Sequence, residues 1–287
     1  MLPKFDYFAP QTLTEVLELL EEHGREAKLL AGGTDLIVGL RARERLPESV
    51  IDIKGVKELQ QLSFDEKRGL NVGAAVTMNK LLHHDEVSKN YPILKEAVST
   101  IGDHEIRNRA TLAGNICNAS PAADSAPALL VLDATVSIAS RKGKRTVAIR
   151  EFFAGVKKTI LDCNEIVTSI DIPPPAEGSR GSYLKARRAV GEDLCVVGVG
   201  GLLTPNGKTG KTVRLAYSSV APTPVRAFKA EKVFENNRPI DELLDEAMPI
   251  VMKTVSPISD VRGGKEYRAN LVEVLTRRLV HRLWEAA

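Results

Sequence analysis

Three consecutive prolines, Pro173-Pro174-Pro175, interrupt this 287-residue chain about three-fifths of the way along. Proline fixes φ and carries no backbone N–H, so the run fits neither a helix interior nor a central strand. Glycines follow within Pro173 to Gly181 and extend the break. Charge also changes across it. Residues 1–179 carry 22 Lys+Arg and 25 Asp+Glu, a net of −3, while residues 180–287 carry 18 and 12, a net of +6. This pattern predicts two domains, 1–176 and 177–287, within a chain long enough to bury a core in each.

Composition removes several function classes. The overall charge of +3 is too small for an electrostatic footprint on nucleic acid or an acidic membrane. With 7 Phe, 5 Tyr and 1 Trp, the chain also lacks the makings of a base-stacking platform. Cys117, Cys163 and Cys195 lie 46 and 32 residues apart, which predicts neither a disulfide framework nor an iron–sulfur or zinc site in this chain. MLPKFDYFAP has no apolar signal-peptide core, and the longest apolar stretch, Cys195 to Leu203, is too short to span a bilayer. The expectation is a soluble, cytoplasmic protein without metal ligands.

Periodicity predicts mixed α and β structure of the α+β class. Thr12-Leu13-Thr14-Glu15 reads as a capping box, and Leu13, Val16, Leu17 and Leu20 follow at helical spacing up to Gly24. Strands are expected at Ala27–Leu30, Val50–Ile53, Leu70–Ala75, Ala134–Ala139 and Glu165–Ile172, with helices from near Thr77 and Pro92. Past the prolines, strands are expected near 182–189, 194–203 and 212–220, then helices near 226–235, 241–254 and 268–286.

Two loops have the composition of a ligand site. Ala31-Gly32-Gly33-Thr34-Asp35 lies between a strand and an apolar segment, where adjacent glycines let backbone N–H groups form an anion nest. Thr111-Leu112-Ala113-Gly114-Asn115 runs on through Ala119-Ser120-Pro121 to Asp124, a carboxylate suited to sugar or ribityl hydroxyls. Each loop alone also fits an ordinary turn. Together they could clamp a dinucleotide pyrophosphate from two sides, and because neither contains Lys or Arg, neutral donors are expected to do so.

Other motifs fail. Gly198-Val199-Gly200-Gly201 misplaces the third glycine of a dinucleotide fingerprint, and Ser218 stands where an acid is needed. Gly207-Lys208-Thr209 and Gly210-Lys211-Thr212 lack the earlier glycine of a phosphate loop, and Asn206-Gly207 reads as a hairpin turn. His83-His84 and the Arg107/Arg109 pair are expected to be solvated, and Cys117 to be a buried, inert thiol. No nucleophile, acid–base pair or metal site emerges, so no catalytic side chain is assigned.

Leu30 to Leu36 and Thr111 to Asn115, with their Ala119-Ser120-Pro121…Asp124 continuation, resemble the two FAD-binding loops of the medium subunits of molybdenum hydroxylases, the xanthine dehydrogenase and carbon monoxide dehydrogenase flavoproteins. Further likeness lies in Glu165-Ile166-Val167 before Ile172-Pro173, in Lys185 eight residues before Asp193, and in Ser259-Asp260-Val261-Arg262-Gly263…Glu266-Tyr267-Arg268. The resemblance covers essentially the whole chain. It implies an FAD-binding domain of the PCMH (vanillyl-alcohol-oxidase-like) type made of two α/β subdomains, about 1–55 and 56–176. A small antiparallel sheet with a helical bundle would follow.

By the same resemblance, Ala31, Gly32, Gly33, Thr34 and Asp35, with Thr111, Ala113, Gly114 and Asn115, hold the pyrophosphate. Asp124 binds FAD hydroxyls, Lys185 sits beside the isoalloxazine or ribityl chain, Ile101 takes the place of an aromatic ring on the flavin, and Val167 packs near the adenine or ring. Ala113 stands where many relatives have glycine, and Leu194 stands where the carbon monoxide enzymes have tyrosine. No cysteine-rich insertion is present.

The implied function is electron transfer. A molybdenum-containing large subunit would hydroxylate a substrate, and two two-iron clusters of a small subunit would pass electrons to FAD here, and on to NAD or another acceptor. The alternatives are a stand-alone FAD oxidase or dehydrogenase and a flavin-free assembly scaffold.

Overall fold

The computed structural model describes residues 2–189, 193–206 and 210–285. Its first layer is a parallel three-stranded sheet with helices between the strands. Strand β1 (Asp6–Phe8) leads to helix α1 (Leu13–His23), β2 (Ala27–Leu30), α2 (Leu36–Arg41) and β3 (Ser49–Asp52), and the spatial order is β1-β3-β2. Thr12 caps α1 by accepting from Glu15 N at 3.3 Å, and Glu15 Oε2 accepts from Gln11 N at 2.7 Å, one residue earlier than the ideal capping box. Val16 and Leu20 are the buried face of α1, and all four residues of β3 are buried, as a central parallel strand requires.

The second layer is an antiparallel sheet ordered β4-β5-β10-β6-β7. Its strands are β4 (Leu62–Asp65), β5 (Gly69–Gly73), β6 (Thr135–Ser140), β7 (Gly143–Ala148) and, after the short hairpin β8 (Phe153–Gly155) and β9 (Lys158–Thr159), β10 (Ile166–Ile172). Six short helices join β5 to β6: α3 (Met78–Leu82), α4 (Asp85–Asn90), α5 (Pro92–Ser99), α6 (His104–Arg107), α7 (Leu112–Cys117) and α8 (Ser125–Val131). A seventh, α9 (Ile149–Phe152), follows β7. Pro173 leaves β10 against Gly69, whose φ is +87° and where an added Cβ would lie 2.0 Å from the Ile172 carbonyl oxygen. Only glycine fits there.

Beyond the prolines, β11 (Arg180–Ala186), β12 (Val197–Asn206), β13 (Gly210–Ser218) and β14 (Val225–Arg226) form an antiparallel sheet in sequence order. Helices α10 (Phe228–Glu231), α11 (Ile240–Thr254) and α12 (Lys265–Glu285) complete the chain. Asn206 pairs with Gly210 across the two long strands; the expected Asn206-Gly207 turn and the Gly207-Lys208-Thr209 motif lie outside the described residues. The expected helix near 226–235 is shorter, with α10 tightening into a 3-10 turn over Lys232–Glu235. Pro249 sits inside α11, whose buried face is Leu243, Leu244, Ala247, Met248 and Val251.

Two apolar cores result. One gathers Val16, Ile51, Leu70, Leu94, Leu129 and Ile170 around the first two sheets, and the other gathers Val199, Leu215, Leu244 and Leu279 around the third. The seam between them explains the glycine run of β12. A Cβ at Gly198 would lie 2.3 Å from Ser218 Oγ and 2.4 Å from the Tyr183 hydroxyl. At Gly200 it would lie 3.0 Å from Pro127 of α8, and at Gly201 2.9 Å from Leu279 of α12. The run lets helices and side chains close on the middle of a strand. Glu96 of α5 crosses the same seam, its Oε2 accepting from Ser182 Oγ and Tyr183 N at 2.7 Å each and its Oε1 from Arg282 at 3.1 Å.

Candidate functional site

The chain turns sharply out of β2 through Ala31-Gly32-Gly33-Thr34-Asp35 into α2. Gly33 has φ +79°, a conformation that suits glycine. At Gly32 an added Cβ would lie 2.2 Å from the Arg109 carbonyl oxygen, so this first loop rests directly on the backbone that leads into the second. The second loop is fixed by Met78 N donating to Ala110 O at 2.8 Å and by a bridge between Thr77 and Thr111. Thr111 Oγ1 accepts from Gly114 N at 2.9 Å and caps α7. Asp35 Oδ1 accepts from Asn118 Nδ2 at 2.8 Å, and Asn118 Oδ1 accepts from Arg45 at 3.2 Å. These bonds tie the first loop to the end of α7.

Among the described residues, the backbone N–H groups of residues 31–35 and of Ala113 donate to no protein acceptor, whereas the Leu112 N–H faces the Val76 carbonyl in the Thr77–Thr111 bridge. Backbone donors left without protein acceptors are the chemistry a pyrophosphate demands. Ala113 is 4% exposed and packs into the core. Beside the loops opens a cleft of about 210 Å³ lined by Ala31, Lys54, Thr77, Lys80, Arg109 and Thr111, among others. Lys54, Lys80 and Arg109 line this cleft from outside both loops. Lys54 Nζ is anchored on Asp52 Oδ2 at 2.5 Å, and that carboxylate also accepts from the Tyr7 hydroxyl at 2.6 Å.

A second polar group lies behind the loops. Asn115 Oδ1 accepts from Ser125 Oγ at 2.6 Å, which links the second loop to α8 and to its N-terminal neighbour Asp124. Asp124 Oδ2 pairs with Lys185 Nζ at 2.9 Å and Oδ1 accepts from the Tyr183 hydroxyl at 2.6 Å. The side chains of Asp124 and Lys185 are only 9% and 5% exposed. Burial pushes the Asp124 carboxyl up, against the pull of the Lys185 ammonium and the Tyr183 and Lys185 hydrogen bonds. Lys185 also donates to Thr100 O at 3.0 Å, which brings Ile101 alongside.

Arg107 is not the solvated residue expected. Its Nη1 donates to the carbonyls of Ser99, Ile101 and Gly102 at 3.0–3.1 Å and so fixes the backbone that holds Lys185. Val167 is buried in β10 opposite Ile138 and does not line the cleft. Cys117 is half-buried where full burial was expected, and burial pushes its thiol up to about 12. Leu194 is 52% exposed. Among the described residues no group of three or more His, Cys, Asp or Glu could hold a metal ion, and no helix is long and apolar enough to cross a membrane.

The family is decided by two matches that together span nearly the whole chain. Residues 3–175 match the family described as FAD binding domain in molybdopterin dehydrogenase, and residues 181–283 match the CO dehydrogenase flavoprotein C-terminal domain. The chain belongs to the FAD-binding subunits of the molybdenum hydroxylases. Among these subunits it is 32% identical over 282 residues to the xanthine dehydrogenase FAD-binding subunit of Escherichia coli O157:H7, covering 98% of this chain and 96% of that one. It is 30% identical to the carbon monoxide dehydrogenase medium chain of Hydrogenophaga pseudoflava, covering 98% of each. A solved structure of reconstituted CO dehydrogenase from Oligotropha carboxidovorans superposes with a TM-score of 0.95 at 30% identity over 100% of both chains. The two-layer FAD-binding part with an antiparallel sheet and helices behind it is thus the architecture of the molybdenum hydroxylase FAD subunits, as the resemblance implied.

Proposed function

We propose that this chain carries FAD in a cytoplasmic molybdenum hydroxylase complex, taking electrons from the iron–sulfur clusters of a small partner subunit and delivering them to NAD or another acceptor. The molybdenum cofactor would belong to a large partner subunit. One observation carries the reading: the N–H groups of residues 31–35 have no protein acceptor among the described residues, and their loop borders, through Ala31, a cleft also lined by Thr111, Lys54, Lys80 and Arg109. That donor set fits the two negative charges of the FAD pyrophosphate.

In this reading residues 1–176 bind FAD, as two subdomains of about 1–55 and 56–176, and residues 177–287 form the C-terminal domain. Ala31, Gly32, Gly33, Thr34 and Asp35 grip one side of the pyrophosphate. Thr111, Ala113, Gly114 and Asn115 grip the other, with Lys54 and Arg109 adding charge. Asp124 keeps lone pairs for a ribityl or ribose hydroxyl beyond those used by Tyr183 and Lys185. Lys185 and Ile101 meet the ring system, and Val167 supports the floor from within β10.

When bound, FAD supplies the exchange between single-electron donors and a two-electron acceptor. The chain orients it and sets the local field, which accounts for the absence of an assigned acid, base or nucleophile. The decisive measurement is flavin absorbance of the purified chain before and after incubation with FAD, followed by co-purification with its partners. A yellow chain that travels with a cysteine-rich and a molybdenum-containing chain is the expected result. A chain that takes up no FAD sinks the reading, and a flavoprotein that oxidises substrates alone favours the stand-alone oxidase.

A further inference from the structure

Tyr183 is unassigned by the reading above, yet its hydroxyl is buried and enclosed at the seam. It lies in β11 opposite Gly200, 5% exposed, two residues before Lys185 and therefore on the same face of the strand. The missing side chain of Gly198 makes the space for its hydroxyl, since a Cβ there would lie 2.4 Å away. Cys195 Sγ, at 3.9 Å, closes another side. Burial and the Asp124 charge hold the Tyr183 phenol well above its usual range, so it remains a donor at every working pH.

The consequence lies in how Asp124 is shared. The phenol holds Oδ1 at 2.6 Å, so the carboxylate meets Lys185 through Oδ2. Lys185 then spans Asp124 and Thr100 O, which leaves one of its three N–H donors without an acceptor among the described residues. We propose that Tyr183 is a positioning residue for the flavin: by clamping Asp124 it fixes the Lys185 ammonium and limits how far the carboxylate neutralises it, leaving one N–H for the bound cofactor. The inference rests on the reading that FAD binds with its ring at Lys185. Tyr183 and Lys185 come from β11, whereas Asp124 and Thr100 come from the FAD-binding part, so this end of the site is assembled across the seam.

The test is the flavin midpoint potential of the FAD-loaded protein, measured with FAD affinity. Tyr183→Phe removes only the hydroxyl. Asp124 then neutralises Lys185 more fully, and the potential moves to more negative values, with the preference for reduced over oxidised FAD falling about threefold, as for weakening one charge-assisted hydrogen bond at second hand. Lys185→Met shifts it further in the same direction, and the double variant shifts no further than Lys185→Met alone, the signature of one pathway. Fluorotyrosine at position 183, a stronger donor of nearly the same shape, moves the potential the opposite way and keeps the test open should Tyr183→Phe fold poorly. Tyr217→Phe removes a buried hydroxyl bonded to Thr276 in the other core and leaves the potential unchanged. An unmoved potential in both Tyr183 variants with FAD bound, or additive shifts in the double variant, overturns the inference. A wild-type chain that takes up no FAD overturns the underlying reading instead.

Discussion

The two ends of the proposed flavin site are built from opposite materials. At the loop end, residues 31–35 present backbone N–H groups beside the start of α7, and both loops lie in the FAD-binding part of the chain. At the Lys185 end, buried side chains do the work, and they reach it from both sides of the seam. A backbone site depends on loop shape and is damaged by adding atoms. A side-chain site depends on charge balance and is damaged by removing them.

The largest effect is expected at the side-chain end. Asp124→Ala leaves Lys185 and Tyr183 buried without their acceptor and lowers stability by about 3–5 kcal/mol in denaturant unfolding, the usual cost of breaking a buried ion pair from one side. Should unfolding prove unchanged, Lys185 has found water and the contrast fails. Next is Gly32→Ala. The added methyl collides with the Arg109 carbonyl and pushes the loops apart, so FAD affinity drops about 100-fold, equivalent to about 3 kcal/mol, in a flavin fluorescence titration. Retained affinity would mean the N–H cradle is not the anchor.

The smallest effect serves as a control outside both ends. Glu165 accepts from Arg145 Nε and Nη2 at 2.7 Å each, and that guanidinium holds its carboxyl below the usual range. A depressed carboxyl stabilises the fold above its unfolded pKa of about 4.3, and the contribution is lost as pH falls through the lower folded value. Glu165→Gln should therefore cost about 0.5–1 kcal/mol at neutral pH, discounted for the exposure of Arg145, and nothing at strongly acidic pH, with FAD affinity unchanged. A loss that persists in acid would assign the effect to packing.

The contrast also explains what could be read from the sequence. Loops 31–35 and 111–115 are contiguous runs whose glycines and cap residues carry their own conformation, so they were legible. The long strands and helices α1, α11 and α12 were legible for the same local reason. Tyr183, Arg107 and Lys54 were not, because each gains its role from residues 59, 5 to 8 or 2 positions away that only the folded backbone orients toward it. The charged edge strand β7 lacked alternation, with four of its six residues exposed. The spacing of the β12 glycines does not fit a nucleotide motif, but the reason for them, close packing against α8 and α12, lies in residues distant in sequence.

The Glu96 junction has one more consequence. β11 is the outermost strand of its sheet, and an outermost strand offers bare N–H and C=O groups on which a foreign chain can pair. Glu96 occupies the Tyr183 amide at that border, held in place by Arg282, and α5 lies over the same strand. The contact that joins the two parts of the chain thus also covers part of that border against edge-to-edge pairing.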